Sequence, residues 1–170
     1  MKLLKELTNK DFGLKNKKVD EYRLRKAARA VVFDKDGKVA ILHASAHGYH
    51  KIAGGGVEVG EDIKTALARE IYEETGCTVV VKYEVGMIIE FRDDIKLLQI
   101  SYCYIAHAKK YGKPHLTKKE KEAGFEVKWF TLDEALKKFK KDDISHYNTK
   151  FMSTRDATFL KEAQKIIKNK

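Results

Sequence analysis

The sequence predicts a mixed α/β fold, and three observations carry that prediction. Apolar, β-rich runs stand on both sides of one strongly periodic helical segment. Within that segment Ile63, Leu67 and Ile71 recur every fourth residue, with Ala66 alongside, which marks a single buried helical stripe. Beyond it come further strands and then two helical stretches opened by capping patterns, at Thr131–Glu134 and at Ser153–Asp156. Strands on both sides of one central helix, followed by a strand and more helices, describe a mixed α/β domain. At 170 residues the chain has room for one real core, so residues 1–170 read as a single domain.

The elements follow in chain order. Residues 1–25 are polar and lysine-rich, with Leu3, Leu4, Leu7 and Phe12 as anchors, and form a lead-in with room for one strand. Ala27 to Phe33 is an apolar strand, Asp36-Gly37 is a hairpin signal, and Lys38 to His43 is the returning strand. Residues 44–50 read as a polar loop, and Lys51-Ile52-Ala53 leads into the glycine run Gly54-Gly55-Gly56. Asp62 is placed to cap the periodic helix, and Gly76 to close it in a left-handed conformation. Thr78 to Phe91 is predicted as a strand bent at Gly86. Arg92-Asp93-Asp94 turns the chain into a long strand from Lys96 to Ala108, with Leu98, Ile100, Tyr102 and Tyr104 on one side. Lys109 to Gly124 reads as a charged loop holding Pro114, the only proline. Phe125 to Phe130 is a strand, and a helix follows to about Lys140. The Ser153 pattern opens a terminal helix whose stripe is Ala157, Leu160, Ala163 and Ile167.

Composition narrows the function classes. Hydrophobic content of 43% and 35% charged residues suit a globular protein. No apolar run is long enough to span a membrane, and Lys5 and Glu6 interrupt the apolar start, so neither a membrane anchor nor a signal peptide is expected. Cys77 and Cys103 form no disulfide framework or zinc pattern, which suits a reducing cytoplasm. The net charge of +10 points to an anionic partner. The lysines are dispersed and no nucleic-acid motif accompanies them, so nucleic acid is possible but not favoured.

The chemistry sits on the polar face of the central helix. Glu70, Glu73 and Glu74 stand at i, i+3 and i+4 and project from one side. Three such carboxylates repel one another unless a hard cation neutralises them, and oxygen-only ligands suit Mg²⁺ or Mn²⁺. Arg69 can pair with a neighbouring glutamate, and Glu61 adds a fourth carboxylate just ahead of the helix. An acidic run alone is usually a solvated helix face. The joint spacing overrides that: Gly55, five residues, Glu61, seven residues, then Arg69-Glu70-Ile71-x-Glu73-Glu74-x-Gly76 in one frame. This resembles the signature box of the Nudix hydrolases. Cys77 departs mildly from an aliphatic slot, and Ala53 and Val59 stand where the family often has prolines.

The resemblance covers roughly residues 27–140 and implies a mixed sheet sandwiched between helices, an α/β/α arrangement. It implies hydrolysis of a diphosphate linked to another moiety X, with a small nucleotide derivative as substrate. By the same resemblance Glu73 and Glu74 are Mg²⁺ ligands, Glu70 is a ligand or orients the attacking water, Arg69 holds a glutamate, and the Gly55 carbonyl adds a backbone ligand. Glu61 is a supporting carboxylate. A later glutamate often serves as base, and Glu120 and Glu122 are the candidates, with Glu126 behind them; each reads equally well as a surface residue of a lysine-rich loop. Trp129, Phe91, Tyr49 and Tyr102 could stack on a base or pack in the core, and Arg29 and Arg92 could meet phosphate or form exposed ion pairs. A proline, a tyrosine and an aromatic-proline run that mark three substrate-specific subfamilies are missing after the box, where the chain reads Phe91-Arg92-Asp93-Asp94. That leaves a (deoxy)nucleoside triphosphate or a similar nucleotide. RNA 5′-end hydrolysis, or a non-catalytic domain that binds nucleotide or RNA, are the alternatives.

Overall fold

The computed structural model describes residues 1–169. Seven strands among them form one sheet. They are β1 (Leu3–Leu7), β2 (Arg23–Phe33), β3 (Val39–Ala44), β4 (Tyr49–Gly56), β5 (Thr78–Arg92), β6 (Leu97–Lys110) and β7 (Phe125–Phe130), in the spatial order β1-β5-β6-β2-β4-β3-β7. β2 runs parallel to β6 and β1 parallel to β5, while the other neighbours are antiparallel, so the sheet is mixed. The helices are α1 (Ile63–Thr75), α2 (Lys118–Glu122), α3 (Leu132–Phe139) and α4 (Tyr147–Lys168). None among the described residues is long and apolar enough to cross a membrane.

The period of two along β2 sorts the core into two layers. Ala28, Ala30 and Val32 face α1, where Ala66, Leu67 and Ile71 complete the predicted stripe. Val31 and Phe33 face the other way and pack with Phe139 of α3 and Phe151, Phe159, Leu160 and Ala163 of α4. The sheet is therefore covered by α1 on one face and by α3 and α4 on the other, the sandwich that the sequence predicts.

Four expectations are corrected. Residues 49–56 are a strand rather than the end of a loop. A turn closes with Ala44 O accepting from His47 N at 3.0 Å and Gly48 N at 2.9 Å, and the polar side chains beyond it are cross-strand partners. His43 and His50 face each other across the β3–β4 ladder with rings 4.5 Å apart. The stretch predicted as a loop before β7 contains α2, capped by Thr117 and Glu120 in a reciprocal box. The terminal helix begins at Tyr147, with His146 as N-cap, and not at Ser153. Ser153 sits within α4 and donates to Asp142 Oδ2 at 3.0 Å, and the buried pair Arg155–Asp156 follows. Ile167 of the predicted stripe is exposed; Ile166 packs on the core in its place.

Candidate active site

The site forms where the end of β4, the second half of α1 and α4 meet. β4 pairs with β2 through Gly54, Gly55 and Gly56, opposite Arg29, Ala28 and Ala27. Gly54 has φ +129°, and a Cβ there would collide with the backbone of Ala28 and Arg29, so the chain needs glycine for both reasons. Asp62 then caps α1, its Oδ1 accepting from Lys64 N at 2.8 Å and Thr65 N at 3.0 Å. At the other end Gly76 adopts the left-handed conformation and donates to Tyr72 O at 2.8 Å.

Arg69 gathers the carboxylates. Its Nε and Nη2 donate to the two oxygens of Glu61, both at 2.9 Å. Its Nη1 donates to Glu70 Oε1 at 3.0 Å and Glu73 Oε2 at 3.3 Å, and Nη2 also reaches Gly56 O at 3.0 Å. The Arg69 hydrogen bonds hold the Glu61 carboxyl below its ordinary range, and those to Glu61 and Glu70 in turn stabilise the guanidinium charge despite partial burial. Glu70 rests against the Cα of Gly55, in the space a side chain would fill. Glu74 is separate and buried: it accepts from Lys51 Nζ at 2.5 Å and Gly54 N at 2.7 Å. Burial pushes the Glu74 carboxyl up, against the opposing pull of Lys51 and the Gly54 amide.

Glu70 and Glu74 open onto one cavity of about 310 Å³, at the lower end of the roughly 300–1,000 Å³ of small-ligand pockets. Lys51, Gly54, Gly55, Gly56 and Glu120 share its wall. The donor set fits a hard divalent cation, because every candidate ligand is an oxygen, from Glu70, Glu73, Glu74 or the β4 carbonyls. Among the described residues no three acidic, histidine or cysteine side chains already converge on one point; Arg69 and Lys51 supply the positive charge that holds them.

Of the later glutamates, Glu120 borders the cavity while its Oε2 accepts from Thr117 N and Oγ1, both at 2.8 Å. Glu122 is exposed, 3.9 Å from Lys118, and Glu126 pairs with Lys128 at 3.0 Å; neither reaches the cavity. Trp129 is half-buried on the α1 side of the sheet, its ring 6.0 Å from Tyr111. Tyr102 packs in the same layer, Phe91 meets Tyr22, and Tyr49 meets Phe125.

Arg29 and Arg92 are buried, not exposed, which corrects the surface ion-pair alternative. They line the cavity together with Arg25, Gln99, Met152 and Arg155, which the sequence reading gave no place in the site. Glu90 is the hub beneath them. It accepts from Arg92 Nη2 at 2.7 Å, Gln99 Nε2 at 2.6 Å and Arg155 Nη1 at 3.2 Å. Arg155 Nε donates to Asp156 Oδ1 at 2.7 Å, and Asp156 Oδ2 accepts from Ile52 N at 3.1 Å. Burial opposes ionisation of Glu90, yet Arg155 and Arg92 outweigh it and hold the carboxyl below its ordinary range. Arg29 Nη1 donates to Gly54 O at 2.9 Å; burial first, and Arg155 second, lower its pKa to about 10, so it stays charged at neutral pH. The available signal was a cation on the inward row of an apolar strand, Arg29 between Ala27 and Val31.

A family model described as NUDIX domain matches residues 23–150. Among solved structures the chain is similar to a NUDIX hydrolase from Nitrosomonas europaea, with TM-score 0.64 and 17% identity over 84% of this chain and 89% of that one. It is similar to the MutT protein from Methanosarcina mazei Go1, with TM-score 0.56 and 19% identity over 87% and 98%. A UDP-X diphosphatase gives TM-score 0.57 and 14% identity over 86% and 66%. At these identities the structural likeness establishes the fold. No curated protein matches the chain.

Proposed function

From the premise that the chain belongs to the NUDIX hydrolase family, we propose that it is a Mg²⁺-dependent pyrophosphohydrolase acting on a nucleoside diphosphate linked to a further group, with a (deoxy)nucleoside triphosphate or a related small nucleotide as substrate. The observation that carries this reading is the single cluster in which Arg69 aligns Glu61, Glu70 and Glu73 while Glu74 lines the same cavity as Glu70.

Glu70, Glu73 and Glu74, with the Gly55 carbonyl, would hold the ion. When bound, Mg²⁺ neutralises phosphate charge and lowers the pKa of water. The chain's own contribution is positional. Arg69 fixes two ligand carboxylates and the β4 carbonyl of Gly56 in one rigid set, which removes their freedom before substrate arrives. Arg25 and the basic cavity wall attract the diphosphate and orient it toward the helix, while Lys51 is committed to Glu74. Glu120, the one candidate later glutamate that lines the cavity, is the residue we assign to take a proton from water.

The test is release of product from a panel of nucleoside triphosphates and nucleoside diphosphate derivatives, with Mg²⁺ and with excess chelator. Turnover that vanishes with chelator and returns with Mg²⁺ is the expected result. Tight ligand binding with no turnover at saturating Mg²⁺ would instead identify a binding domain.

Gly55 supplies a second check. A methyl group there must displace the Glu70 carboxylate. Gly55→Ala is therefore expected to lower kcat/KM by about tenfold or more, with the Mg²⁺ concentration for half-maximal activity raised. An unchanged Mg²⁺ response would show that Glu70 is not a ligand.

A further inference from the structure

Glu74 is the one carboxylate of the proposed ion-holding set with no oxygen to spare. Among the described residues Glu70 Oε2 and Glu73 Oε1 accept no hydrogen bond, because Arg69 takes only Glu70 Oε1 and Glu73 Oε2. Both oxygens of Glu74 are taken, Oε1 by Lys51 Nζ at 2.5 Å and Oε2 by Gly54 N at 2.7 Å. The pair is withdrawn from solvent, the Glu74 side chain 2% exposed and that of Lys51 11%. Among the described residues Lys51 has no other carboxylate partner.

The strand explains why the lysine is there. Alternation along β4 places Lys51 on the same face as Ala53, which packs with α1. A lysine on such a row is costly to bury unless it is paired, and Glu74, one turn beyond Glu70 on α1, supplies the pairing. A divalent ion on Glu74 must then share the carboxylate with an ammonium. Mg²⁺ lies about 2.1 Å from a ligand oxygen, so an ion on Oε1 with Lys51 in place would stand within about 5 Å of Nζ. Like charges that close in a buried site repel strongly. Of the two donors only one can yield. Gly54 is fixed in the ladder opposite Arg29, whereas Lys51 hangs on a flexible four-carbon stem, lines the cavity, and has the Phe125 ring 5.4 Å from its ammonium.

We propose that Lys51 is a resident counter-ion which the divalent ion displaces from Glu74. Before the ion binds, Lys51 is a positioning residue that keeps the Glu74 carboxylate aimed at the cavity. Loading turns the ammonium into the cavity, where it meets the phosphates of the substrate, so the ion binds ahead of the substrate. This deepens the function proposed above and rests on it for Glu74 as a ligand.

Three measurements test it. The first uses the wild type and no substrate. Lysines are acetylated with a water-soluble N-hydroxysuccinimide ester, in Mg²⁺ or in excess chelator, and quantified by peptide mass spectrometry. Lys51 is expected to label several-fold faster with Mg²⁺, while exposed Lys137 labels equally in both. The second is Mn²⁺ binding followed by calorimetry without substrate. Lys51→Met is expected to bind about tenfold tighter than the wild type, and Lys51→Arg, which keeps the charge, to return to the wild-type affinity. Should Lys51→Met fail to fold, the labelling decides alone. The third separates this role from a structural one. In Lys51→Met the Mg²⁺ concentration for half-maximal rate is expected to fall while KM for the substrate rises about tenfold; a structural defect would raise both. Equal labelling of Lys51 with and without Mg²⁺, or equal Mn²⁺ affinity of wild type and Lys51→Met, would overturn the proposal. If Lys51 responds to the ion but no substrate is turned over, the hydrolase reading fails and the displacement stands.

Discussion

Glu74→Gln is expected to lose both turnover and stability, whereas Glu70→Gln loses turnover alone. Both carboxylates line the cavity, so either change removes a negative charge from the set proposed to hold the cation and is expected to lower kcat by on the order of 10²-fold. The stability effects separate because the two side chains sit differently. Glu74 is buried and both its oxygens are committed, one to Lys51 Nζ and one to Gly54 N. A glutamine there must turn its NH₂ toward one of two donors and leave the buried Lys51 ammonium without a counter-charge, at a cost of about 3 kcal/mol. Glu70 shares Arg69 with Glu61 and Glu73 in a partly solvated cluster, where the loss of one charge costs about 1 kcal/mol or less. Melting curves beside single-turnover rates decide it. A folded, fully active Glu70→Gln would remove that residue from the ligand set, and an unperturbed melting curve for Glu74→Gln would show that the Lys51 pair is not intact in solution.

The sequence made α1 and the positions of its carboxylates legible because that information is local. A helix cap, a four-residue stripe and carboxylates at i, i+3 and i+4 are all spaced within one element, and the structure preserves each of them. The strands were legible where they were apolar. β4 was missed because Tyr49, His50 and Lys51 are polar and the glycines that follow carry no alternation; their strand character comes from β2 and β3 on either side. The start of α4 was misplaced because Ser153 and Asp156 match a capping pattern by type. In the fold their side chains are taken by Asp142 and by Ile52 N together with Arg155 instead. The arginine wall was hidden for a related reason. Arg25 and Arg29, Glu90 and Arg92, Gln99 and Arg155 come from four elements, and nothing in their linear spacing announces that parallel pairing of β2 with β6 brings them together.

Arg155→Met is expected to be the most destabilising single change in that wall. The guanidinium is fully buried and joins two equally buried carboxylates, Glu90 and Asp156. Methionine fills much of the volume, but leaves Asp156 with only the Ile52 amide and Glu90 with Arg92 and Gln99. Breaking a buried pair from one side costs roughly 3–5 kcal/mol, which for a chain of this length lowers Tm by about 10 °C. Removing the neighbouring charge as well should return part of that loss. Asp156→Asn keeps a side-chain oxygen for Ile52 N, so Arg155→Met with Asp156→Asn is expected to cost less than the sum of the two single changes, by about 1 kcal/mol or more. The pH response supplies an independent sign. In the wild type Glu90 titrates below its ordinary range, so its contribution is complete at neutral pH and is lost as pH falls through that lowered value. Without Arg155 the Glu90 pKa rises, and acid unfolding of the variant should begin at higher pH than in the wild type. Additive single and double variants with superimposable acid midpoints would mean that Arg155 is held by packing rather than by its two carboxylates.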